Sequence, residues 1–421
     1  MPALTLSKFI ESLPRSDVIE LGAELSPVLE PTEAVLDLEE KGKVVRFRLR
    51  GWVRDCVAGV LGSRGRVLKV LGAESDVDAY RALLNACSSP SKPVEKSFGN
   101  FFEAWRGGLE RLPFIKFFPR DGGRYLTSSI VVACLDEVCN ASIHRVMLVD
   151  SSTLVMRVVP RHLHFMHLRA LERGEELPIA IVVGAPPQAL IASASSPPYG
   201  VFELEVANTI SELEVCRTPI HNLPVPCSAS FVIEARLGSE RHPEGPFVDL
   251  LKLYDKVRDE PVAKVDAIYL GVEPSSVVIP SGAEHRLLQS FYREALVWDA
   301  VRKVVPRVCG VRLGGGSWLS VYVAVDKQHD GDSKNALAAA MAAHPSAKIV
   351  VVLDCDVDLD DPRDVEWAIA TRLRASQGVV VVKRARCSTL DPSTEDGLCD
   401  KLGIDATVGV RERERFRKAR P

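Results

Sequence analysis

The sequence predicts a mixed α+β and α/β chain of several domains, and three observations carry the prediction. The chain has 421 residues, more than one ordinary hydrophobic core accommodates. Its middle is a succession of short apolar strands separated by turn signals. Its last part alternates strand and helix in a βαβαβ rhythm, which implies a parallel sheet. Composition is globular, with 46% apolar and 26% charged residues and no low-complexity tract.

Taken in order, residues 1–105 read as a small N-terminal α/β domain. Thr32 precedes the helical pattern EAVLDLEE. GRVLKVLG at 65–72 reads as a strand, a helix follows over about 76–86, and SSPSKP at 88–93 reads as a linker. Residues 106–281 contain SSIVVACL, RVMLVD, TLVMRVV, IAIVVGA, FVIEARL and VDAIYLGV, separated by turn signals such as DGG at 121–123. Many short strands with one interrupting helix, HFMHLRALERGEE, suggest a barrel or a sandwich. At 282–305, Leu287, Leu288, Phe291, Ala295, Trp298 and Val301 recur at helical spacing, so a long helix bridges into the last domain, 282–421. There WLSVYVAV, KIVVVLD and GVVVVK are strands, with NALAAAMAAH and DVEWAIATRL as the helices between them.

The bulk numbers exclude several classes of function. Net charge is −3, and the basic C-terminal run RERERFRKAR reads as a solvated helix face or a frayed end, so nucleic acid is not an expected partner. The N-terminus lacks the basic and apolar regions of a signal peptide, and runs such as IVVVL are too short to span a membrane. The ten cysteines include no CxxC, so reduced, buried thiols in a cytoplasmic protein are expected. Only four glutamines occur, which fits a thermophile.

The chemistry concentrates in a few motifs. NASIHR at 140–145 carries an amide, a hydroxyl, an imidazole and a guanidinium, and PEGPFVD at 243–249 carries two carboxylates around a Gly-Pro turn. Arg145 with Glu244 and Asp249 suits proton transfer, because burial can keep one carboxyl protonated while the cation keeps its partner ionised. The same three residues could equally form an ordinary surface ion pair. Asn140, His162 and Glu203 offer oxygen and nitrogen ligands for Mn²⁺ or Mg²⁺, with a phosphate completing the shell. Against this, His162 lies with His164 and His167 on a helix-like segment, where histidines are commonly structural. Asp354, Asp356 and Asp358 resemble the start of a calcium loop, but Leu359 and Val365 stand where that loop needs Gly and a bidentate Glu. An acidic turn capping a helix is the simpler reading. RLGGGSW at 312–318 lacks the frame of a phosphate-binding loop and reads as a flexible connection.

These fragments, collinear from about residue 120 to 410, resemble the UbiD family of decarboxylases, which depend on prenylated FMN. The likeness runs through DGGRYLTSSIVV, NASIHR, VPRHL, LPIAIVVGAPPQALIASAS, FELEVA, LPVPCSASFVIEARL, PEGPFVD, FYREALVWDAVRKVVPRVCGVRL, KIVVVLDCDVDLDDPRDVEWAIATRL and DKLGIDAT. The resemblance implies a central split β-barrel like that of flavin reductases, flanked by an N-terminal α/β domain and a C-terminal α/β domain used in oligomer formation. It implies that Asn140, His162 and Glu203 tie a Mn²⁺ or Mg²⁺ ion to the cofactor phosphate. Arg145 would pair with Glu244, and Asp249 would donate the proton after CO₂ leaves. Ser142, Ile143, His144, Arg145 and Arg161 would contact the flavin, Ser193, Ala194 and Ser195 would line it and help hold K⁺, and Lys401 matches a phosphate lysine loosely. Asp249 is one methylene shorter than the glutamate of some relatives.

For the substrate, an unsaturated carboxylic acid, the short chain and thermophile-like composition are similar to archaeal members. Those decarboxylate trans-anhydromevalonate 5-phosphate to isopentenyl phosphate in a modified mevalonate pathway of isoprenoid biosynthesis. Such a substrate needs a cationic pocket, to which His144, Arg161 or Arg312 could contribute. The alternatives are an aromatic, 4-hydroxybenzoate-type decarboxylase and a non-catalytic flavin-binding protein. The resemblance also implies a flavin prenyltransferase as cofactor supplier and a homo-oligomer, dimer or hexamer.

Overall fold

The computed structural model describes residues 3–305, 307–314, 318–395 and 397–419. The chain forms two compact units, the first from residues 1–74 and 85–288 and the second from 75–84 and 289–421.

The first unit begins with a small mixed sheet. Strands β1 (Val18–Leu25) and β2 (Val44–Leu49) run parallel and are joined by helix α1 (Glu30–Glu40). Strand β3 (Cys56–Ala58) is antiparallel to β2, and the short strand Ser275–Val277 joins β3 in parallel. Val35 of α1 packs in one core with Val45, Phe47 and Ile279. GRVLKVLG is not a strand. Residues Arg64–Val70 form a helix, with the Ser63 side chain accepting from the Arg66 amide. An apolar run this short does not distinguish the two periods, and the N-cap hydroxyl decides for helix.

The rest of this unit is a closed barrel. Its strands are β4 (Tyr125–Leu135), β5 (Val138–Leu148), β6 (Thr153–Met156), β7 (Leu177–Val183), β8 (Phe231–Glu244) and β9 (Arg258–Leu270). The order β8-β7-β4-β5-β6-β9 closes because β8 also pairs with β9 along its length, and every pairing is antiparallel. Closure leaves neither β8 nor β9 with an open edge toward the other. Inward residues fill the barrel, among them Val131, Val146, Leu154, Ile181, Phe231 and Ile233. Helix α2 (His162–Glu172) covers one end of the barrel core through Leu163 and Met166, and helices α3 (Pro187–Ala194) and α4 (Glu203–Ile210) pack on β5.

The second unit is a five-stranded sheet in the order β10 (Val308–Leu313), β11 (Ser320–Val325), β12 (Ile349–Asp354), β14 (Leu398–Ala406) and β13 (Val379–Arg386). The three central strands are parallel, and both outer ones are antiparallel to their neighbours. Helix α5 (Ala283–Arg302) leads into this unit, α6 (Asp332–Ala343) connects β11 to β12, and α7 (Pro362–Arg372) follows β12. The acidic run after β12 is structural. Arg372 pairs with Asp354 and Asp356, and Asp361 caps α7 by accepting from the Arg363 amide. Residues 315–317 of RLGGGSW lie outside the described residues.

The cysteines correct the expectation of reduced thiols. Eight of them form the disulfides Cys134–Cys139, Cys216–Cys227, Cys309–Cys355 and Cys387–Cys399, while Cys56 and Cys87 are buried free thiols. Cys134 and Cys139 face each other in register across the β4–β5 hairpin. Cys216–Cys227 and Cys387–Cys399 likewise bridge neighbouring antiparallel strands, at sequence separations of 11 and 12, whereas Cys309–Cys355 spans a separation of 46. Disulfide-rich intracellular proteins are a recognised exception among hyperthermophiles. Among the described residues, no helix is long and apolar enough to cross a membrane.

Candidate active site

Strand β5 divides NASIHR between two faces. Val146 packs in the barrel core, so Asn140, Ser142 and His144 share its side of the strand. Met147 packs in the core beneath the N-terminal sheet, so Ile143 and Arg145 share the other side.

On that other side Arg145 gathers three carboxylates. Its Nε and Nη2 donate to the two oxygens of Glu244, each at 2.9 Å. Its Nη1 donates to Asp249 Oδ2 at 2.8 Å, and Nη2 also reaches Asp255 Oδ2 at 3.1 Å. The guanidinium lies over the Phe247 ring, 4.7 Å from its centroid. Burial disfavours the cation, but its hydrogen bonds to Glu244 and the charges of all three carboxylates raise its pKa above the ordinary value. Burial likewise opposes ionisation of Asp255, yet Arg258 and Arg145 hold its carboxyl below the usual range. The side chain of Glu244 is 0% exposed and that of Asp249 is 21% exposed, so only Asp249 has access to an incoming molecule.

Local chemistry brings these residues together. Glu244 ends β8 opposite Arg258 of β9. The chain then turns through Gly245 and Pro246, joined by a cis peptide. The Gly122 amide donates to the Pro246 carbonyl at 2.8 Å. A Cβ on Gly122 would lie 2.0 Å from the Gly245 carbonyl oxygen, so only glycine lets the DGG turn meet the Gly-Pro turn. The Asp121 carboxylate accepts from the amides of Phe118 and Val248 and ties the two turns.

On the inner side, Asn140 Nδ2 donates to both oxygens of Glu203 at 3.1 Å, and the Ala141 amide donates to Glu203 Oε2 at 2.7 Å. Burial pushes the Glu203 carboxyl up to about 7, against the opposing pull of these donors. Asn140 Oδ1 is buried with no hydrogen-bond partner. His162 opens α2, its ring edge-on to Tyr199 at 5.5 Å, and burial together with Arg161 lowers its pKa, which favours the neutral ring a metal needs. Arg161 donates to Ser196 Oγ at 3.1 Å. At the end of α3, Ser193 Oγ is buried without a hydrogen-bond partner, and Ser195 Oγ donates to the Ile191 carbonyl. Ala194 lies between them.

Two family models match the chain. The 3-octaprenyl-4-hydroxybenzoate carboxy-lyase Rift-related domain matches residues 92–283, and the corresponding C-terminal domain matches residues 286–406. The chain belongs to the UbiD family. It is similar to the anhydromevalonate phosphate decarboxylase of Aeropyrum pernix, with 42% identity over 91% of this chain and 89% of that one. Its identity to the enzyme of the same name from Methanosarcina mazei is 36%, over 99% of both chains. The structure of the UbiD-class enzyme HmfF from Pelotomaculum thermopropionicum, in complex with FMN, matches with a TM-score of 0.95 at 30% identity, covering 99% of this chain and 97% of that one.

The residues of this UbiD chain fit a divalent metal ion beside a phosphate. Among the described residues no three His, Cys, Asp or Glu side chains form a metal cage of their own. The candidate donors are instead one amide oxygen, one carboxylate and one imidazole, which leaves coordination positions for phosphate oxygens. The Asn140 amide shows the fit most directly: its nitrogen is committed to Glu203 and its oxygen is left without a donor.

Three cations expected near a phosphate have other engagements. His144 donates from Nδ1 to the Arg157 carbonyl and accepts at Nε2 from Ser142 Oγ, both at 2.9 Å, and burial pushes its pKa down to about 4. It is a neutral ring with both nitrogens occupied. Lys401, in the second unit, donates to the Pro345 carbonyl, and burial lowers its pKa. Arg312, also in the second unit, pairs with Asp76 and Asp360.

Sequence reasoning missed Asp255, Arg258 and His285. Asp255 and Arg258 stand three apart, a spacing that could have flagged them. His285 gave no signal: it sits in the first turn of α5, where its Nδ1 accepts from the Ser281 amide. Burial lowers its pKa, with Asp249 opposing and Arg145 and Arg286 adding to the shift, so it stands within electrostatic reach of the carboxylate cluster.

Proposed function

We propose that this chain is a prenylated-FMN-dependent decarboxylase that converts trans-anhydromevalonate 5-phosphate to isopentenyl phosphate and CO₂. The observation that carries the reading is the convergence of Glu244 and Asp249 on one buried guanidinium, because a protein that only binds flavin has no use for an acid pair. The names and high coverage of the archaeal relatives support the phosphorylated substrate over an aromatic one.

Asn140, His162 and Glu203 would hold a Mn²⁺ or Mg²⁺ ion, which would supply positive charge for the cofactor phosphate. Ser142, Ile143, His144 and Arg161 contact the flavin, and the Ser193–Ala194–Ser195 stretch borders it and holds K⁺. When bound, the modified flavin supplies an electron sink for the pair left as the C–CO₂ bond breaks. Arg145 fixes the orientation of both carboxylates through its hydrogen bonds to Glu244 and Asp249. Asp249 delivers its proton to the carbon that has lost CO₂. Ser142 and Arg157 hold His144 in a single tautomer, so it shapes the pocket as a neutral hydrogen-bonding group. Arg161, at the start of α2, is the cation for the substrate phosphate. The working form is a cytoplasmic homo-oligomer, dimer or hexamer, loaded by a flavin prenyltransferase.

The test is turnover by protein coexpressed with a flavin prenyltransferase. Isopentenyl phosphate and CO₂ should form in equal amounts from the phosphate ester, with no release from 4-hydroxybenzoate. Decarboxylation of the aromatic acid with the ester left intact would reverse the assignment.

A further inference from the structure

A second buried acid pair lies outside the active site, where α1, the loop 59–62 and the start of α5 meet. Glu284, in the first turn of α5, accepts from the Gly59 amide at 2.9 Å and the Leu61 amide at 2.7 Å. Each of its oxygens therefore has a donor. Glu39, near the end of α1, is 0% exposed, and its Oε1 accepts from the Glu284 amide at 2.5 Å. Its Oε2 is buried with no hydrogen-bond partner. A buried carboxylate anion left with a bare oxygen is costly, and a neutral carboxyl in the same place costs much less. The proton of the pair belongs on Glu39.

This carboxyl is wedged tightly. A Cβ on Gly282 would lie 2.8 Å from Glu39 Oε2, and one on Gly59 would lie 3.0 Å from Glu39 Cγ. The charged groups facing Glu39 are Glu284 and Arg286 from α5, Glu40 from its own helix, and Arg66 from the helix that follows Ser63. Arg286 spans the junction, donating to Glu40 and to the Ser281 carbonyl. The segment held in this way is Ser281–Arg286, and it carries His285.

We propose that Glu39 is a positioning residue: in its neutral form it clamps the start of α5 and thereby holds His285 against Asp249 and Arg145. Ionisation of Glu39 would set a second negative charge beside Glu284 and open the clamp. Burial and the neighbouring Glu284 raise the Glu39 carboxyl to about 8, so the clamp is closed at neutral pH and opens above it. The catalytic consequence rests on the proposed decarboxylase function, but the clamp itself does not.

The experiment compares the full-length wild type with Glu39→Gln, whose amide keeps the acceptor and does not ionise. Amide exchange over residues 281–286, corrected for the intrinsic pH dependence, is followed from pH 6 to 10, alongside kcat/KM for the loaded enzyme. The two proteins should match at pH 6–7. By pH 9 the wild type should lose protection and about tenfold in kcat/KM, one pH unit above the Glu39 value, while the variant keeps both. Identical alkaline behaviour in the two proteins overturns the proposal. So does wild-type protection that stays flat to pH 10, a result that needs no variant. If neither protein decarboxylates the phosphate ester, the functional assignment fails, and the exchange data still decide the clamp.

Discussion

Replacing Arg145 by methionine should destabilise the barrel. The side chain contacts three carboxylates, and their exposures apportion the loss. Asp255 retains Arg258, and Asp249 is 21% exposed and can be rehydrated. Glu244, at 0% exposure, loses both of its guanidinium hydrogen bonds and has no route to water. Breaking a buried ion pair by removing one partner costs about 3–5 kcal/mol. Nearly all of that cost belongs to Glu244, whose carboxylate would be left buried with no cation beside it. The deficit should therefore fall within that range. Hydrogen exchange of the β5 and β8 amides in the cofactor-free protein measures it strand by strand. A deficit below about 1 kcal/mol, the range of an exposed pair, would refute the reasoning.

Asp249→Asn should lower turnover by about 10²–10⁴-fold while the loaded cofactor keeps its visible spectrum, and full turnover would remove Asp249 from the proton path. His144 should show no ring protonation by NMR between pH 5.5 and 8, because burial holds its pKa near 4. The sign follows: the neutral ring costs stability only as pH falls from the usual histidine range toward 4, and a midpoint between 6 and 7 would contradict its burial. Cys309 and Cys355 close a loop with a sequence separation of 46. Replacing both by serine should cost about 4 kcal/mol in the chain-entropy picture. An unchanged melting temperature for that variant would show that the bridge contributes little.

Much of the barrel was legible because its strands, such as FVIEARL, are short apolar runs set off by turn signals, and the run is buried except at Arg236. The helix at Arg64–Val70 was not, because its apolar run fits both periods and the deciding contact is one serine hydroxyl. NASIHR and PEGPFVD announced the right residue types. Their convergence depended on two turns touching at Gly122 and Gly245, a contact across more than a hundred residues that no local pattern encodes. His285 shows the limit most clearly. Its neighbours in the sequence say helix start, and its relation to Asp249 exists only after the N-terminal sheet and the barrel have packed. Of the disulfides, Cys309–Cys355 was hidden for the same reason, while the other three bridge neighbouring antiparallel strands.

Strand β8 is bonded to both β7 and β9 over Phe231–Leu237, and beyond an irregularity its end, Arg241–Glu244, pairs with β9 alone. The doubly bonded part cannot slide by one position without breaking two ladders at once. The acid is thus carried on a two-stranded extension of a fixed ring, with Arg258 directly opposite it. New substrate preferences in such a protein would have to arise elsewhere, in the stretch after Glu244 that ends at Asp249 and in the segment that carries His285. The ring works as a fixed datum, and the loops around it are the parts that evolution is free to redraw.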